Sequence, residues 1–510
     1  VFDVDADMKN TDVNVLHFGG PSTFLPDTTT YKTADAKKLL DILQDQSINL
    51  LMMAGVGKSE ARTYVADALA FDQKLAKIVK STEEWSDYAA IYNPVNYAEF
   101  IAKFKSFKMA DFMAAVLPVK PERIIVMEPR FLDHAESLLN AANFAEIKGW
   151  MLVKYINNVA RFLSQAFREA AFPFNQAITG TPQLPTQIKQ AYRLANSAFD
   201  EVVGIFYGQK YFGAKAKKDV EDMIRKMLKV YEERIKSNTW LSAETKKKAV
   251  VKLKALVLKI GYPDKIEEIF DLLQVDPEKS LYENEVAMST VRTKYMLAKL
   301  TKLVDRSVWL MPGNLNNACY DPQRNDLTFP AGILQAPFYD INQSRGANYG
   351  GIGATIGHEV SHAFDNSGAK FDERGNMNNW WTDADFAEFN KRVGQMVDIF
   401  DGLQYGPAKV NGKQVVGENI ADLAGLACAV QTGKDDGADL KDLFENYARS
   451  WMQKQRPEAI KTEVQTDVHA PQPTRVVNIP VQCQDEFYDA FGVKKTDGMW
   501  LNPEDRITIW

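Results

Sequence analysis

Apolar residues recur at three- and four-residue spacing through roughly the first 300 positions of this 510-residue chain. This spacing places them on one face of an α-helix, and it is clearest over residues 219–236. Another helix is predicted over residues 242–260, with Ser242 as its N-cap and Gly261 as its stop signal. The same periodicity is present over residues 34–53, 59–79, 137–170 and 187–207. The first part of the chain is therefore predicted to be a succession of helices.

The pattern changes near residue 300. Short β-like segments at 307–311 and 327–329 precede a glycine-rich stretch, 349–353, which leads into a predicted helix. We place a domain boundary at about residue 290. It divides the chain into residues 1–290, a mainly helical lobe free to contribute segments to the other lobe, and residues 291–510.

Composition excludes several classes of protein. Apolar residues make up 45% and charged residues 25% of the chain, which are globular proportions. The 61 basic and 67 acidic side chains give a net charge of −6, and no long run of like charge stands out, so we expect no nucleic-acid partner. No apolar run approaches the roughly 18 residues of a transmembrane helix, so no membrane segment is predicted.

The three cysteines, Cys319, Cys428 and Cys483, are too few and too scattered for a disulfide framework. Together with the lack of a recognisable signal peptide, they favour a cytoplasmic location, with secretion or the cell surface as the alternative. The sequence begins at Val1 and not at Met, so we expect a native N-terminus, with any targeting signal, to precede it.

The chemistry is concentrated in an HExxH motif formed by His358, Glu359 and His362. With five histidines in the chain, about 0.007 such matches are expected by chance. Histidines at i and i+4 lie one turn apart on a helix face, so both imidazoles can reach one metal ion. Glu359 lies beside that row, where a general base for water must stand.

A catalytic zinc site needs a third protein ligand and an open position. Six residues after the second histidine the chain has Gly368, which excludes a third histidine at that spacing. Trp381 and Thr382 occupy the positions where thermolysin-like spacing puts a glutamate. The third ligand is therefore expected further along the chain.

Glu418 is the best candidate, because it opens a helix-like run in which Asp422 follows one turn later on the same face. Glu418 can bind the metal while Asp422 accepts an N–H from a ligand histidine, and Asp365 can do the same for the other histidine. The alternative is that Glu418 is an exposed carboxylate at a favourable position near a helix start.

HEVSHAFD followed by GENIADLAG strongly resembles the neprilysin family of zinc metallopeptidases, in particular its bacterial endopeptidase O group. Further segments agree in order: NACY at 317–320 with PQRNDLTFPAGILQAPF, DVHAP at 467–471 followed by Arg475, and the terminal Trp510. The resemblance covers essentially the whole chain and is densest over residues 305–510. It implies that His358, His362 and Glu418 bind one zinc ion.

The resemblance also implies how the remaining residues act on a peptide. It implies that Glu359 is the general base and that Asp365 and Asp422 form hydrogen bonds to the ligand histidines. His469 and Arg475 would stabilise the transition state, and Asn317 and Ala318 would bind the peptide backbone. Ile333, Phe338 and Trp451 would form an apolar pocket. Such a pocket would direct cleavage to the amino side of large hydrophobic residues. By itself, the sequence would assign Ile333 and Phe338 to ordinary core.

The fold implied by the resemblance is mainly α, with two helical lobes around a central chamber. Residues 291–510 would form a thermolysin-like (gluzincin) catalytic lobe with a small β-sheet, and residues 1–290 would cap it. The implied function is a zinc-dependent endopeptidase for oligopeptides. The alternatives are a carboxydipeptidase and a non-catalytic binding protein, and secondary binding of a host protein beside catalysis stays open.

The chain departs from the family pattern at three places. Cys319 replaces the usual aromatic residue after Ala318, and the C-terminus lacks the cysteine that animal members have there. The family's arginine that recognises the substrate's C-terminal carboxylate matches no residue of this chain, so no residue is assigned that role.

Overall fold

Helices dominate the architecture, and the computed structural model describes residues 2–510, apart from the side chain of Val477. The α-helices are α1 Ala36–Met53, α2 Lys58–Leu75, α3 Thr82–Ser86, α4 Tyr97–Ala102, α5 Met109–Val116, α6 Pro129–Leu138, α7 Phe144–Val159, α8 Gln165–Ala170, α9 Phe172–Thr179, α10 Gln187–Ala198, α11 Asp200–Tyr211, α12 Gly213–Ser237, α13 Ala243–Lys254, α14 Ile269–Leu272, α15 Leu281–Ala298, α16 Arg345–Asn348, α17 Ala354–His362, α18 Asp383–Phe400, α19 Gly412–Asp435, α20 Leu440–Ser450, α21 Pro457–Thr466, α22 Ile479–Gln482 and α23 Asp485–Phe491.

The strands are β1 Phe2–Asp7, β2 Asn10–Phe18, β3 Pro94–Asn96, β4 Arg123–Val126, β5 Val257–Gly261, β6 Cys319–Asp321, β7 Asp326–Pro330, β8 Gln404–Tyr405 and β9 Ala408–Lys409. Short 3-10 helices are Thr28–Lys32, Tyr88–Ile91, Ala141–Asn143, Ala160–Phe162, Lys299–Thr301, Gly368–Lys370 and Pro503–Asp505. π-Helical turns are Tyr349–Gly353 and Pro473–Asn478. The predicted class, mainly α with small sheets, is confirmed. Within the described residues, no helix combines the length and the apolar character needed to cross a membrane.

Contacts divide the chain into two units, each made of three separate segments. The first unit comprises Val1–Gln187, Asp271–Val304 and Gln455–Asp467. The second comprises Ile188–Phe270, Asp305–Lys454 and Val468–Trp510. The boundary predicted near residue 290 thus lies inside a segment of the first unit, and a long helical segment before it groups with the second unit.

The first unit contains a four-stranded sheet in the order β1-β2-β4-β3. β2 pairs antiparallel with β1 and parallel with β4, and β3 is antiparallel to β4. Leu16 and Phe18 of β2 are buried and belong to one core with Phe100 of α4. The prediction of helices throughout this region is wrong for β1 and β2. β1 alternates apolar and acidic residues, a strand pattern that is too short to stand out beside the helical runs.

Several predicted elements have different ends in the structure. The helix predicted over 242–260 stops at Lys254, and the apolar residues that follow form β5. The segment 327–329 lies in β7 as predicted, whereas 307–311 forms no strand. Residues 219–236, where the helical spacing of apolar residues is clearest, lie in α12, whose apolar face is buried.

The second unit contains the sheet β5-β7-β6, in which β7 is parallel to β5 and antiparallel to β6. Beside it, α17 packs against α19, and α12 packs against both helices. Gly357 of α17 faces Gly425 of α19, and a Cβ on either glycine would collide with the backbone of the other helix. The two backbones therefore approach closely, and this crossing positions the candidate site.

Candidate metal centre and active site

The HExxH motif forms α17, which is buried over its first eight residues. The rings of His358 and His362 lie one turn apart, with centroids 4.5 Å apart and planes at 88°. Their Nε2 atoms are 2.9 Å apart. As the i, i+4 spacing predicted, the two Nε2 atoms are close enough to bind one metal ion.

Glu418 reaches the same point from α19. Its Oε2 atom lies 3.2 Å from Nε2 of His358 and 3.5 Å from Nε2 of His362. α19 begins at Gly412, so Glu418 lies in its second turn and not at an exposed helix start. The structure therefore brings the three predicted metal ligands together.

The donor set fits a zinc ion. Bonds of about 2.0–2.1 Å to tetrahedral zinc place ligand atoms roughly 3.3 Å apart, close to the distances between the Nε2 atoms of His358 and His362 and Oε2 of Glu418. This Oε2 atom is buried without a hydrogen-bond partner in the described structure, although three imidazole nitrogens lie 3.0–3.5 Å away. A cation among these atoms would satisfy the carboxylate and both histidines.

The other ring nitrogen of each histidine is held by a carboxylate. Nδ1 of His358 donates to Asp422 Oδ1 at 2.8 Å, and Nδ1 of His362 donates to Asp365 Oδ2 at 2.6 Å. Asp365 Oδ1 in turn accepts the backbone N–H groups of Ser367 and Gly368. With its proton on Nδ1, each ring presents the lone pair of Nε2 to a metal.

The electrostatics of the cluster favour bound positive charge. Burial would raise the pKa of Glu418, but His469 and His362 outweigh it and hold that pKa well below its usual range. Burial likewise opposes ionisation of Asp422, yet Arg475 and His358 lower its pKa. Both carboxylates are therefore charged at neutral pH and available to balance a cation.

Glu359 lies beside the ligand atoms but outside the closest set. Its Oε1 is 4.0 Å from Nε2 of His358, farther than Oε2 of Glu418. Atoms of His358, Glu359 and His362 that could bind a metal still lie within 4.8 Å of one another. Burial raises the pKa of Glu359, against the opposing effect of His358 and His362. A buried carboxyl with a raised pKa is suited to receive a proton.

His469 and Arg475 approach from the segment after α21. Nε2 of His469 is 3.0 Å from Oε2 of Glu418, and its side chain is 38% exposed. Arg475 is buried and donates to Asp422 from Nε at 2.5 Å and from Nη2 at 3.1 Å. It therefore contacts the carboxylate that holds His358, in addition to the substrate contact that the resemblance implies.

The predicted peptide-binding residues lie at the edge of the sheet. Asn317 is exposed and Ala318 is buried, directly before β6. β6 has β7 on one side and no strand of the described sheet on the other. Cys319 is largely buried, and burial raises the pKa of its thiol to about 12. A thiol with this pKa is a poor nucleophile, consistent with a side chain that takes no part in redox chemistry.

Two of the three predicted pocket residues, Phe338 and Trp451, contact each other. The rings of Phe338 and Trp451 meet edge to face, with centroids 5.5 Å apart. The guanidinium of Arg475, which also bonds to Asp422, lies 5.1 Å from the ring centroid of Trp451. Ile333 is buried in the core of the same unit, and Phe338 and Trp451 are partly buried against that core.

Two residues that support α17 from other helices belong to no motif in the sequence. The hydroxyl of Tyr231 donates to Oγ of Ser361 at 3.0 Å. Lys252 donates to three backbone carbonyls just after α17. Only Lys252 could have been noticed from the sequence, because it is a lysine among the buried positions of α13, next to Leu253.

Comparisons with known proteins show the family to which this chain belongs. Models of peptidase family M13 match residues 1–263 and 317–507. A neutral endopeptidase of Lactobacillus helveticus is 84% identical over 510 residues, which cover 100% of this chain and 79% of that protein.

Two solved structures share the fold. PepO from Lactobacillus rhamnosis HN001 has a TM-score of 0.96 at 40% identity, with 100% of this chain and 81% of that chain covered. The zinc metalloprotease Zmp1 of Mycobacterium tuberculosis, in complex with an inhibitor, has a TM-score of 0.94 at 29% identity, with coverages of 100% and 80%. The chain belongs to peptidase family M13, the neprilysin family, and is a zinc metalloendopeptidase of the bacterial endopeptidase O type.

Proposed function

We propose that this chain cleaves oligopeptides on the amino side of large hydrophobic residues, with one zinc ion held by His358, His362 and Glu418. The observation that carries the proposal is the cluster of three ligand atoms 2.9–3.5 Å apart, with both Nδ1 atoms already held by carboxylates. Zinc bound there would supply Lewis acidity, which polarises a peptide carbonyl and makes water more acidic.

Glu359 is proposed as the general base. Its carboxylate takes a proton from the attacking water and passes it to the nitrogen of the leaving amine. Its burial and raised pKa support this role, because a carboxyl that holds a proton more readily can accept it and then release it within one cycle. Its greater distance from His358 supports a role apart from the metal ligands.

His469 and Arg475 are proposed to stabilise the negative charge that grows on the carbonyl oxygen and to bind the next carbonyl of the peptide. The partly exposed imidazole of His469, next to Glu418, supports the first role. Arg475 uses Nε and Nη2 on Asp422, and Nη1 donates to no residue in the described part of the chain, which supports the second role.

The peptide is proposed to bind as an added strand along β6. Asn317 and Ala318 stand at the start of this edge, so their backbone and the Asn317 amide can pair with an extended substrate. Phe338 and Trp451 would receive the side chain after the scissile bond. Their edge-to-face pair offers apolar surface, which supports a preference for large hydrophobic residues.

The test compares wild type with Glu359→Gln in a metal analysis and in hydrolysis of fluorogenic peptides. The peptides carry Phe or Gly after the scissile bond. Glu445→Gln is the matched control, because Glu445 is an exposed glutamate of the same unit. We expect one zinc per chain in all three proteins, a loss of hydrolysis of about 100-fold or more only in Glu359→Gln, and faster cleavage of the Phe peptide.

Three results would contradict the proposal. Loss of zinc in Glu359→Gln would make Glu359 a ligand. Equal cleavage of the two peptides would remove the proposed pocket. Cleavage that is lost when the C-terminus of the peptide is amidated would indicate a carboxydipeptidase and not an endopeptidase.

A further inference from the structure

A buried lysine holds the segment that follows the zinc-binding helix. Lys252, on α13, is 1% exposed. Its Nζ donates to the carbonyl oxygens of Ala363, Gly368 and Phe371 at 2.7, 2.6 and 2.7 Å. We call residues 363–371 the post-helix turn. A single side chain from another helix therefore ties the start, the middle and the end of this turn together.

The chemistry of the contact is that of a charged ammonium. An ammonium has three N–H donors, and three carbonyl oxygens accept them, whereas a neutral amine would leave one carbonyl without a donor. Ala363 follows the last residue of α17, where carbonyls lack helical partners and a positive charge is favourable. Burial lowers the pKa of Lys252, whereas Asp365, Asp372 and Glu373 favour the charged form that the three carbonyl acceptors match.

Aromatic rings complete the enclosure of this ammonium. Nζ of Lys252 lies 5.7–5.9 Å from the ring centroids of Tyr320, Phe364 and Trp380. These rings exclude water and contribute cation–π attraction. The rings and the carbonyls leave the ammonium no access to bulk solvent, so its position is fixed by the protein alone.

The post-helix turn carries the carboxylate that orients one zinc ligand. Asp365 accepts the N–H groups of Ser367 and Gly368 through Oδ1, at 2.7 and 2.6 Å. Its other oxygen accepts the Nδ1 proton of His362. Gly368 thus bonds to Asp365 through its N–H and to Lys252 through its C=O. A change in the turn would move Asp365 relative to His362.

We propose that Lys252 is a positioning residue for the metal centre, because its ammonium fixes the post-helix turn in the shape that lets Asp365 orient His362 for zinc. The inference rests on the proposed function, in which His362 binds the metal. Lys252 acts through Asp365 and contacts neither the metal ligands nor the substrate.

The test measures zinc affinity by chelator competition on the full chain with Lys252→Met. Lys259→Met is the matched control. Lys259 is also a buried lysine of this unit, but its Nζ bonds to Asp326 and to the carbonyl of Val308, away from the post-helix turn. We expect Lys252→Met to weaken zinc binding by about 10- to 100-fold and to lower kcat with little change in KM. Lys259→Met should lose thermal stability and keep its zinc affinity within about twofold.

A double-mutant cycle tests the route through Asp365. Asp365→Asn should weaken zinc binding by itself, and Lys252→Met should then add less than about threefold in that background. Additive effects of the two substitutions, or unchanged zinc affinity in a folded Lys252→Met protein, would overturn the proposal. Wild type that binds no zinc would instead refute the proposed function.

Lys252→Gln covers the case in which Lys252→Met does not fold. Its amide retains two of the N–H donors, so a smaller loss of zinc affinity is expected. Saturating zinc should restore the fold of either variant by mass action, because zinc binds the folded state. Failure of both variants to fold in saturating zinc would show a purely structural role and overturn the proposal.

Discussion

At the residue scale, Asp422 connects a proposed zinc ligand, His358, with the buried guanidinium of Arg475. It accepts the Nδ1 proton of His358 and two N–H groups of Arg475, and all three side chains are buried. The negative charge of Asp422 therefore serves two purposes. It fixes the tautomer of a zinc ligand, and it is the nearer of the two carboxylates that balance the buried guanidinium of Arg475, the other being Glu418 at 3.7 Å.

Asp422→Asn should impair both purposes. An amide is a weaker acceptor for His358, so we expect zinc affinity to fall about 10- to 100-fold. Arg475 would lose its nearer charged partner and keep only Glu418, at 3.7 Å. Breaking a buried pair costs about 3–5 kcal/mol of unfolding free energy. Chelator competition and denaturant unfolding measure the two effects. Asp398→Asn, on the exposed face of α18, is the control and should change neither. Full zinc affinity in Asp422→Asn would argue against its hydrogen bond as a determinant of metal binding.

Local spacing made part of this site predictable. His358, Glu359 and His362 could be assigned because one helical turn fixes their relation, and Glu418 and Asp422 are likewise one turn apart. Their distance across two helices depends on the packing of α17 on α19, which no local pattern encodes. Lys252 lies 111 residues from the nearest carbonyl it holds, so its partner could not be found from spacing.

At the element scale, the crossing of α17 and α19 sets the distance between the histidines and Glu418. Gly357 and Gly425 make the crossing possible, because a side chain on either would meet the backbone of the other helix. The burial of 17 residues along α19 leaves this helix little freedom to shift. The ligand geometry is therefore a property of the helix pair, in addition to the motif.

Gly425→Ala should destabilise the second unit. A Cβ at this position meets backbone atoms of His358 and Gly357, and overpacking of this kind costs about 1–3 kcal/mol. Zinc affinity should fall as well, because α17 must move away from Glu418. Gly394→Ala is the control. Gly394 lies inside α18, where a Cβ would meet open space, and the substitution should stabilise by about 0.5–1 kcal/mol. Denaturant unfolding that gives both variants equal stability would contradict this account of the crossing.

The elements that sequence analysis misassigned share one physical cause. The end of the predicted 242–260 helix forms β5 because its apolar residues pair with β7, a partner 69 residues along the chain at Val257 and Asp326. β2 pairs with β4 across a still longer separation. A strand of this kind forms only when a distant segment supplies its hydrogen-bond partners. A helix such as α12 makes its backbone hydrogen bonds within its own segment, so the spacing of its apolar residues is sufficient to predict it.

At the scale of the whole molecule, the chain passes repeatedly between the two units. Each unit is completed by segments from distant parts of the sequence. The metal centre uses residues from Ala354–His362, Gly412–Asp435 and the last segment, and all of them belong to the second unit. Ile188–Phe270 belongs to this unit as well, because α12 packs on α17 and α19. The contacts of the metal centre thus extend into a part of the chain that a boundary at residue 290 would separate from it.

Removal of zinc should therefore destabilise residues on both sides of that boundary, but only within the second unit. Zinc at about 100 times its Kd stabilises the state that binds it by roughly 2.7 kcal/mol, and a chelator withdraws this stabilisation. Native-state hydrogen exchange resolves the effect by segment. We expect α17, α19 and α12 to exchange faster without zinc, while β2 and β4 of the first unit serve as the internal control and keep their rates. Equal acceleration in β2 and β4 would show that the metal stabilises the chain as one cooperative unit, and unchanged rates in α12 would show that the helix does not share the stability of the metal centre.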